Sequence, residues 1–209
     1  MADAGQFELG TIILAAGRSS RMGRPKMLLP WGQNTVLGHL VAVWRQLGSA
    51  QTAVVCAPDD AAVAGELDRI GFSTDARIIN PRPDRGMFSS IQCAAQWSGW
   101  KNTLSHWAIA LGDQPHLQPA TLDAVLQFAR DNREKICQPS RRGRPRHPVI
   151  VPKAILEELA RSTAWDLKEF LRSLSAAPQL LESDDPGLDL DIDRPEDYQT
   201  ALDLWRKDF

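Results

Sequence analysis

Short apolar runs alternate along the chain with stretches in which apolar residues recur every three or four positions. Such runs read as strands buried on both faces, and the intervening periodicity reads as amphipathic helix. The pattern therefore predicts an α/β fold with a mostly parallel sheet and helices on both faces. Thr11–Ala15 is the first predicted strand. A loop from Ala16 to Gly32 follows, then a helix over Thr35–Leu47 in which Val36, Leu37, Leu40, Val43, Trp44 and Leu47 share one face. Thr52–Cys56 is the second strand, and Asp59 is the expected cap of a helix ending near Ile70. Arg77–Ile79 is the third, ending at Asn80-Pro81, with a helix from Phe88–Ser89 to Trp97. Trp107–Leu111 is the least ambiguous strand and closes on Gly112-Asp113-Gln114-Pro115. Beyond it the pattern predicts a helix over Pro119–Arg130 and strands at Ile136–Gln138 and Pro148–Val151 flanking a basic loop. Helices over Pro152–Arg161 and Asp166–Leu174, short strands at Leu180–Leu181 and Leu188–Ile192, and a closing helix over Pro195–Trp205 complete the pattern. No internal repeat or long linker interrupts it, so residues 1–209 read as one domain.

Composition narrows the function classes. An apolar fraction of 43% argues against a disordered chain, and a net charge of −2 gives no reason to expect nucleic acid or an anionic membrane as partner. Anion binding must come from local clusters. The N-terminal Met1–Gln6 has no basic region, Ile12–Ala16 is too short for a signal sequence, and no stretch approaches the ~18 apolar residues that cross a bilayer. Cys56, Cys93 and Cys137 are far apart in apolar surroundings, which reads as buried unpaired thiols rather than a disulfide or zinc site. The expected compartment is the cytoplasm.

The chemistry concentrates in Leu14-Ala15-Ala16-Gly17-Arg18-Ser19-Ser20-Arg21-Met22-Gly23-Arg24-Pro25-Lys26. The segment follows a strand, and open α/β sheets bind ligands at the carboxyl ends of their strands. Ala15, Ala16 and Gly17 let the backbone approach a ligand, while Arg18, Arg21, Arg24 and Lys26 place four cations within nine positions. A backbone cradle with converging cations suits a triphosphate. It is neither a dinucleotide fingerprint, since Ser19 stands where a second glycine is needed, nor a Walker loop, since Gly23 leads into Arg24-Pro25. Pro25 disfavours helix before it and keeps the loop extended, carrying Lys26 back over the site.

Leu14-Ala15-Ala16-Gly17-x-Ser19-x-Arg21-Met22-Gly23-x-Pro25-Lys26 resembles the opening motif of the NTP-transferase family that makes dinucleotide forms of the molybdenum cofactor, the molybdopterin-guanine-dinucleotide-synthase-like family. The similarity is strongest to its cytidylyl branch. It recurs at Asn80-Pro81 with Gly86-Met87-Phe88-Ser89-Ser90, at Gly112-Asp113-Gln114-Pro115, at His147-Pro148-Val149 and at Asp191-Ile192-Asp193-Arg194-Pro195. The resemblance implies a Rossmann-like nucleotidyltransferase fold in three layers, like that of nucleotide-diphospho-sugar transferases. It also implies transfer of CMP from CTP to a phosphorylated acceptor, molybdopterin, with Mg²⁺ as cofactor. Arg21, Lys26 and Asp113 would be catalytic. Leu14, Ala15, Ala16, Gly17, Arg18, Ser19, Gly86, Ser89 and Ser90 would join Arg21 and Lys26 in holding the nucleotide. Arg146 and His147 would face the acceptor, and Asp113 with Asp193, or with Asp191 as the fallback, would hold the metal. A molybdoenzyme or its maturation chaperone is the implied protein partner, with no nucleic acid and no membrane.

Some readings stay open on the residues alone. Ser89 and Ser90 suit a helix cap as well as a ligand. Arg141-Arg142-Gly143-Arg144-Pro145-Arg146-His147 suits a solvated loop, an acceptor pocket or an RNA contact, the last weakened by the lack of interleaved aromatics. Glu182-Ser183-Asp184-Asp185 reads as a solvated turn, Asp193 as either a metal ligand or a helix cap, and Asp189, Asp191 and Asp193 as facing one side of an extended segment. His39, His106, His116 and His147 show no triad context. Within the family pattern, Arg146 replaces a glycine, Trp165 stands where a Gly-Asp turn is usual, and Arg194 replaces a threonine. GTP as donor, a sugar- or polyol-phosphate as acceptor, and a non-catalytic cofactor carrier are the rival readings. Ala15-Ala16 favours a pyrimidine, because their methyl groups would crowd a purine.

Overall fold

Residues 6–207, apart from 18 and 20, are described by a computed structural model. In chain order the strands are β1 (Leu9–Leu14), β2 (Pro30–Trp31), β3 (Asn34–Thr35), β4 (Gln51–Cys56), β5 (Arg77–Ile79), β6 (His106–Leu111), β7 (Cys137–Arg141), β8 (Arg144–Pro145), β9 (Val149–Pro152) and β10 (Gln179–Glu182). The helices are α1 (Val36–Gln46), α2 (Ala61–Arg69), α3 (Met87–Gln96), α4 (Pro119–Asp131), α5 (Lys153–Arg161), α6 (Leu167–Ser173) and α7 (Pro195–Lys207). The main sheet runs β10-β7-β9-β6-β1-β4-β5, with β8 paired to β7 and β2-β3 forming a separate hairpin. Its pairings are parallel except those of β9 with β6 and β7 and of β8 with β7.

Alternation along the strands creates the three layers. Ile13, Val54, Ala108, Ala110, Cys137 and Ile150 point to one face, where they pack with apolar residues of α1, α2, α4 and α7. Ile12, Leu14, Val55, Ile109, Val149 and Val151 point to the other, against α3, α5 and α6. Both layers are buried, which is why the strands read as continuous apolar runs. Trp31, Trp44 and Trp107 are core residues at 1–3% exposure.

The structure corrects several local expectations. Asp60, not Asp59, caps α2, its side chain accepting from the Val63 N–H at 3.0 Å. The basic loop is a tight hairpin: Arg142 and Gly143 both have positive φ (52° and 70°), as the two-residue turn that matches strand twist requires. Glu182 on β10 holds that hairpin, accepting from the Ser140 hydroxyl at 2.6 Å and from the Arg142 and Gly143 N–H groups, so it is an exposed strand residue and not part of a turn. Leu188–Ile192 is not a strand. Pro186–Asp189 is a 3-10 turn, and the Gly187 and Leu190 carbonyls and the Ile192 N–H bond to the loop after β6. Cys56 and Cys137 are buried, Cys93 is partly exposed, and none is disulfide-bonded. Burial pushes the Cys56 and Cys137 thiols up to about 11, which keeps them protonated at neutral pH. Among the described residues no helix is long and apolar enough to cross a membrane.

Candidate active site

The chain passes from β1 outward to β4 and β5 and then returns to lay β6 on the other side of β1. Strand order reverses at the β1–β6 pair, and the crevice beyond the carboxyl ends of such a pair is where open α/β sheets bind ligands. Two loops meet there, residues 15–25 after β1 and 112–118 after β6.

Gly112 sets their separation. Its N–H donates to Leu14 O at 3.1 Å, and a Cβ at this position would lie 2.5 Å from that oxygen and 2.9 Å from Met27 Cε. Only glycine admits this approach, and it delivers Asp113 directly to the first loop. Ala15 N–H donates to Val55 O, so the loop leaves the sheet at Ala16. Ser19 adopts a left-handed backbone (φ 42°), its carbonyl accepting from Met22 N–H and its hydroxyl from Lys26 N–H, both at 3.0 Å. Buried Met22 pins the loop to the core. The extended Pro25 and the 3-10 turn Lys26–Leu28 then bring Lys26 back over the crevice, beside Gly17.

The result is a cluster of opposite charges. Lys26 Nζ lies 2.6 Å from Asp113 Oδ2 and 3.5 Å from Asp193 Oδ1, and Arg21 Nη2 lies 3.1 Å from Asp193 Oδ2. The Lys26 side chain is 12% exposed and that of Arg21 65%, so the first is built in and the second reaches from the rim. Asp191 Oδ1 accepts from Gln114 Nε2 at 2.9 Å. The desolvating walls of the crevice, then the neighbouring Asp113 carboxylate, hold Asp191 above the usual carboxylate range.

Asp189, Asp191 and Asp193 do not face one side. Asp189 turns to Arg141 (2.8 Å) and to Arg146, whose guanidinium holds its carboxyl below the usual range. Arg146 is thus charge-paired on the side of the cleft it lines. His147, also in that lining, has its pKa lowered by burial, and its Nδ1 sits 3.2 Å from Ile109 O. A carbonyl can only accept, so Nδ1 carries the proton of a neutral ring. The cleft has a volume of about 980 Å³. Ser89 and Ser90 both accept from Asn80 Nδ2, at 2.8 and 2.9 Å, tying the end of β5 to the first turn of α3 behind Gly86 (φ 85°). Ala15 is 1% exposed and packs in the core, whereas Ala16, 8% exposed, lies outside both core clusters at the start of the loop. Arg18 lies outside the described residues.

Sequence reasoning missed the zipper that holds the terminal segment in place. Ile192 N–H donates to Asp113 O at 3.1 Å. His116 Nε2 lies 3.1 Å from both Gly187 O and Leu190 O, and Asp185, 5% exposed, accepts from Gln118 N–H and Gly187 N–H. The acidic stretch before the 3-10 turn Pro186–Asp189 is therefore partly structural. The available signal was that His116 and Gln114 directly follow Asp113 in a segment otherwise headed into the core.

As a metal site the arrangement has two convergent carboxylates, Asp113 and Asp193, already facing one cation, with Asp191 beside them. Among the described residues no group of three or more His, Cys, Asp or Glu is placed to hold a metal alone. That donor set fits Mg²⁺, which binds through one or two carboxylates and completes its shell with water and substrate phosphates.

Residues 11–179 match the family model described as the MobA-like NTP transferase domain. The chain belongs to that family. This MobA-like transferase is 30% identical over 197 residues to the molybdenum cofactor cytidylyltransferase of Escherichia coli K12, covering 93% of this chain and 95% of that one. Among solved structures it resembles the Rv0371c protein of Mycobacterium tuberculosis H37Rv, with 26% identity, a TM-score of 0.72 and coverage of 94% and 98%. A complex of Rv0371c with manganese matches with 25% identity, a TM-score of 0.69 and coverage of 94% and 98%. The fold is thus the Rossmann-like nucleotidyltransferase fold, and the MobA-like chain is a nucleotidyltransferase.

Proposed function

We propose that this transferase moves CMP from CTP to the phosphate of molybdopterin and releases pyrophosphate. The observation that carries it is the Lys26–Asp113–Asp193–Arg21 cluster at the strand-order reversal, where the loops after β1 and β6 meet. The choice of cytidine and molybdopterin is supported by the near full-length similarity to the Escherichia coli cytidylyltransferase. An oxygen of the acceptor phosphate attacks the α-phosphorus of CTP, forming one P–O bond. The bond to the β-phosphate bridging oxygen breaks, and its electron pair leaves with pyrophosphate. No protein nucleophile takes part, so the chain's task is positioning and charge stabilisation. Lys26 and Arg21 supply positive charge at the α-phosphate and the departing pyrophosphate. Mg²⁺, held by Asp113 and Asp193 with Asp191 nearby, would neutralise phosphate oxygens when bound; the manganese complex of the Mycobacterium tuberculosis relative supports a divalent cation.

The test is to incubate the purified protein with molybdopterin, Mg²⁺ and each NTP in turn while following pyrophosphate. CTP is expected to lead GTP and ATP. Equal rates with GTP would overturn the cytidylyl assignment, and silence with every nucleotide would overturn the reaction.

A further inference from the structure

The cleft that begins at Arg146 and His147 runs away from the charge cluster between the β7–β8 hairpin and α6. Val149, Leu167, Leu171 and Leu174 give it an apolar lining, and the exposed Arg144, Lys168 and Arg172 set three cations around it. Gln138 is built into this lining at 4% exposure. Cys137 beside it packs into the layer of α1, α2, α4 and α7, so strand alternation turns Gln138 to the opposite face, into the cleft. Its carboxamide has no hydrogen-bond partner among the described residues. Gln138 is not among the residues with sealed, unpaired polar atoms, so its carboxamide opens onto the cleft, where a ligand can reach it. The neighbouring strand meets the same cleft with apolar Val149, so packing alone does not require a polar group here.

We propose that Gln138 is a specificity-determining residue that reads the acceptor's ring. Its side-chain N–H and C=O lie side by side, the complement of a lactam edge, in which a ring N–H adjoins a carbonyl. A pterin presents that edge on a flat fused ring, which suits the apolar lining, while Arg144, Lys168 and Arg172 favour the anionic groups such an acceptor carries. A site built to hydrogen-bond its substrate discriminates strongly against molecules lacking the matching groups. The inference rests on the transferase reading with molybdopterin as acceptor.

The probe is pterin-6-carboxylate, an anionic pterin whose own fluorescence reports binding without turnover. It is expected to bind the wild type and Lys26→Ala alike, and to bind Gln138→Met, which keeps the volume but loses the amide, at least tenfold more weakly. Gln138→Glu retains the acceptor oxygen, loses the donor and places a carboxylate at the cleft; it should weaken binding too, and it serves if the methionine variant does not fold. In turnover, the KM for molybdopterin should rise in either variant while the KM for CTP stays unchanged. Unaltered pterin affinity in both variants, no binding by the wild type, or an equal rise in the KM for CTP would each overturn the assignment. Gln138-dependent pterin binding without pyrophosphate release from any NTP would sustain it while removing the transferase reading.

Discussion

Lys26 Nζ stands 2.6 Å from Asp113 Oδ2 although 87 positions separate the two residues. The pair joins the loop after β1 to the loop after β6, and the same ammonium also faces Asp193. The built-in ammonium thus faces two carboxylates, the second of which also meets Arg21; on the proposed function, a bound cation and triphosphate would redistribute these charges.

Lys26→Ala and Arg21→Ala should each lower kcat/KM by about 10²-fold, the scale for losing one preorganised charge-stabilising group. Arg21 is mostly exposed, so its variant should melt near the wild-type temperature, whereas Lys26→Ala strips a built-in ammonium from Asp113 and should melt lower. Normal turnover by either variant would remove that cation from the phosphate-binding set.

Gly112→Ala should destabilise the fold by about 1–3 kcal/mol, the range for forcing extra volume into a packed site. The offending neighbour is the Leu14 carbonyl, a backbone atom that cannot rotate away. Activity should fall further than stability, because relief of the clash must shift Asp113. Denaturant unfolding together with kcat at saturating substrate separates the two effects.

Much of this was legible in the chain. Both faces of β1, β4 and β6 are covered, so apolar runs marked them, and functional loops follow strands by rule; Lys26 and Asp113 emerged from that logic. The zipper of Gln114, His116 and Asp185 did not, because loop-to-loop hydrogen bonds have no period to read. For the same reason the pattern gave no hint that Asp189 pairs with Arg141 and Arg146, and only the family resemblance pointed Asp193 to the crevice. Gln138 was hidden because strand alternation tells which face a residue takes, not that a cleft lies there.

Nucleotide choice should depend on Ala16 and not on Ala15. Ala15 is a core residue, so Ala15→Gly should cost about 1 kcal/mol through a lost methyl and added backbone freedom, with the CTP to GTP ratio unchanged. Ala16→Gly should shift that ratio toward GTP by about tenfold, the lower end for one group in a shape-selective site. Competition assays with both nucleotides would show it, and an unshifted ratio in Ala16→Gly would mean that selectivity resides elsewhere.

Stability should decline as pH falls from about 7.5 to 5.5. Burial lowers the pKa of His39, His106, His116 and His147 from the ordinary 6.5, so the unfolded chain binds more protons than the folded one in this window. Their contribution is present above the unfolded pKa and is lost as pH drops toward the folded values. The carboxylates with lowered pKa, Glu66, Glu182 and Asp189, act in the same direction but at more acid pH. Melting temperatures across the range should show the decline, and His116→Gln should flatten part of it.

Asp193 and Asp197 should separate cleanly into a functional and a structural carboxylate. Asp197 Oδ2 accepts from the N–H groups of Asp193 and Arg194, at 3.2 and 2.8 Å, satisfying two backbone donors at the entrance to α7. That is the reach-back half of a capping box, with the acid three residues beyond the cap position. The Asp193 carboxylate is paired instead with Arg21 and Lys26 across the crevice. Asp197→Ala should therefore cost about 1 kcal/mol of stability, the usual scale for a lost cap, with the Mg²⁺ requirement unchanged. Asp193→Asn should leave the melting temperature near the wild-type value, lower activity and raise the Mg²⁺ concentration needed for half-maximal rate. Asp113→Asn should do the same more severely, since Asp113 is the less exposed of the two carboxylates and sits against Lys26. Asp191→Asn, with its Gln114 contact still available, tests whether a third oxygen contributes. A metal titration of the four variants beside the wild type decides the matter: a Mg²⁺ dependence that moves with Asp197 and not with Asp193 would reverse the assignment.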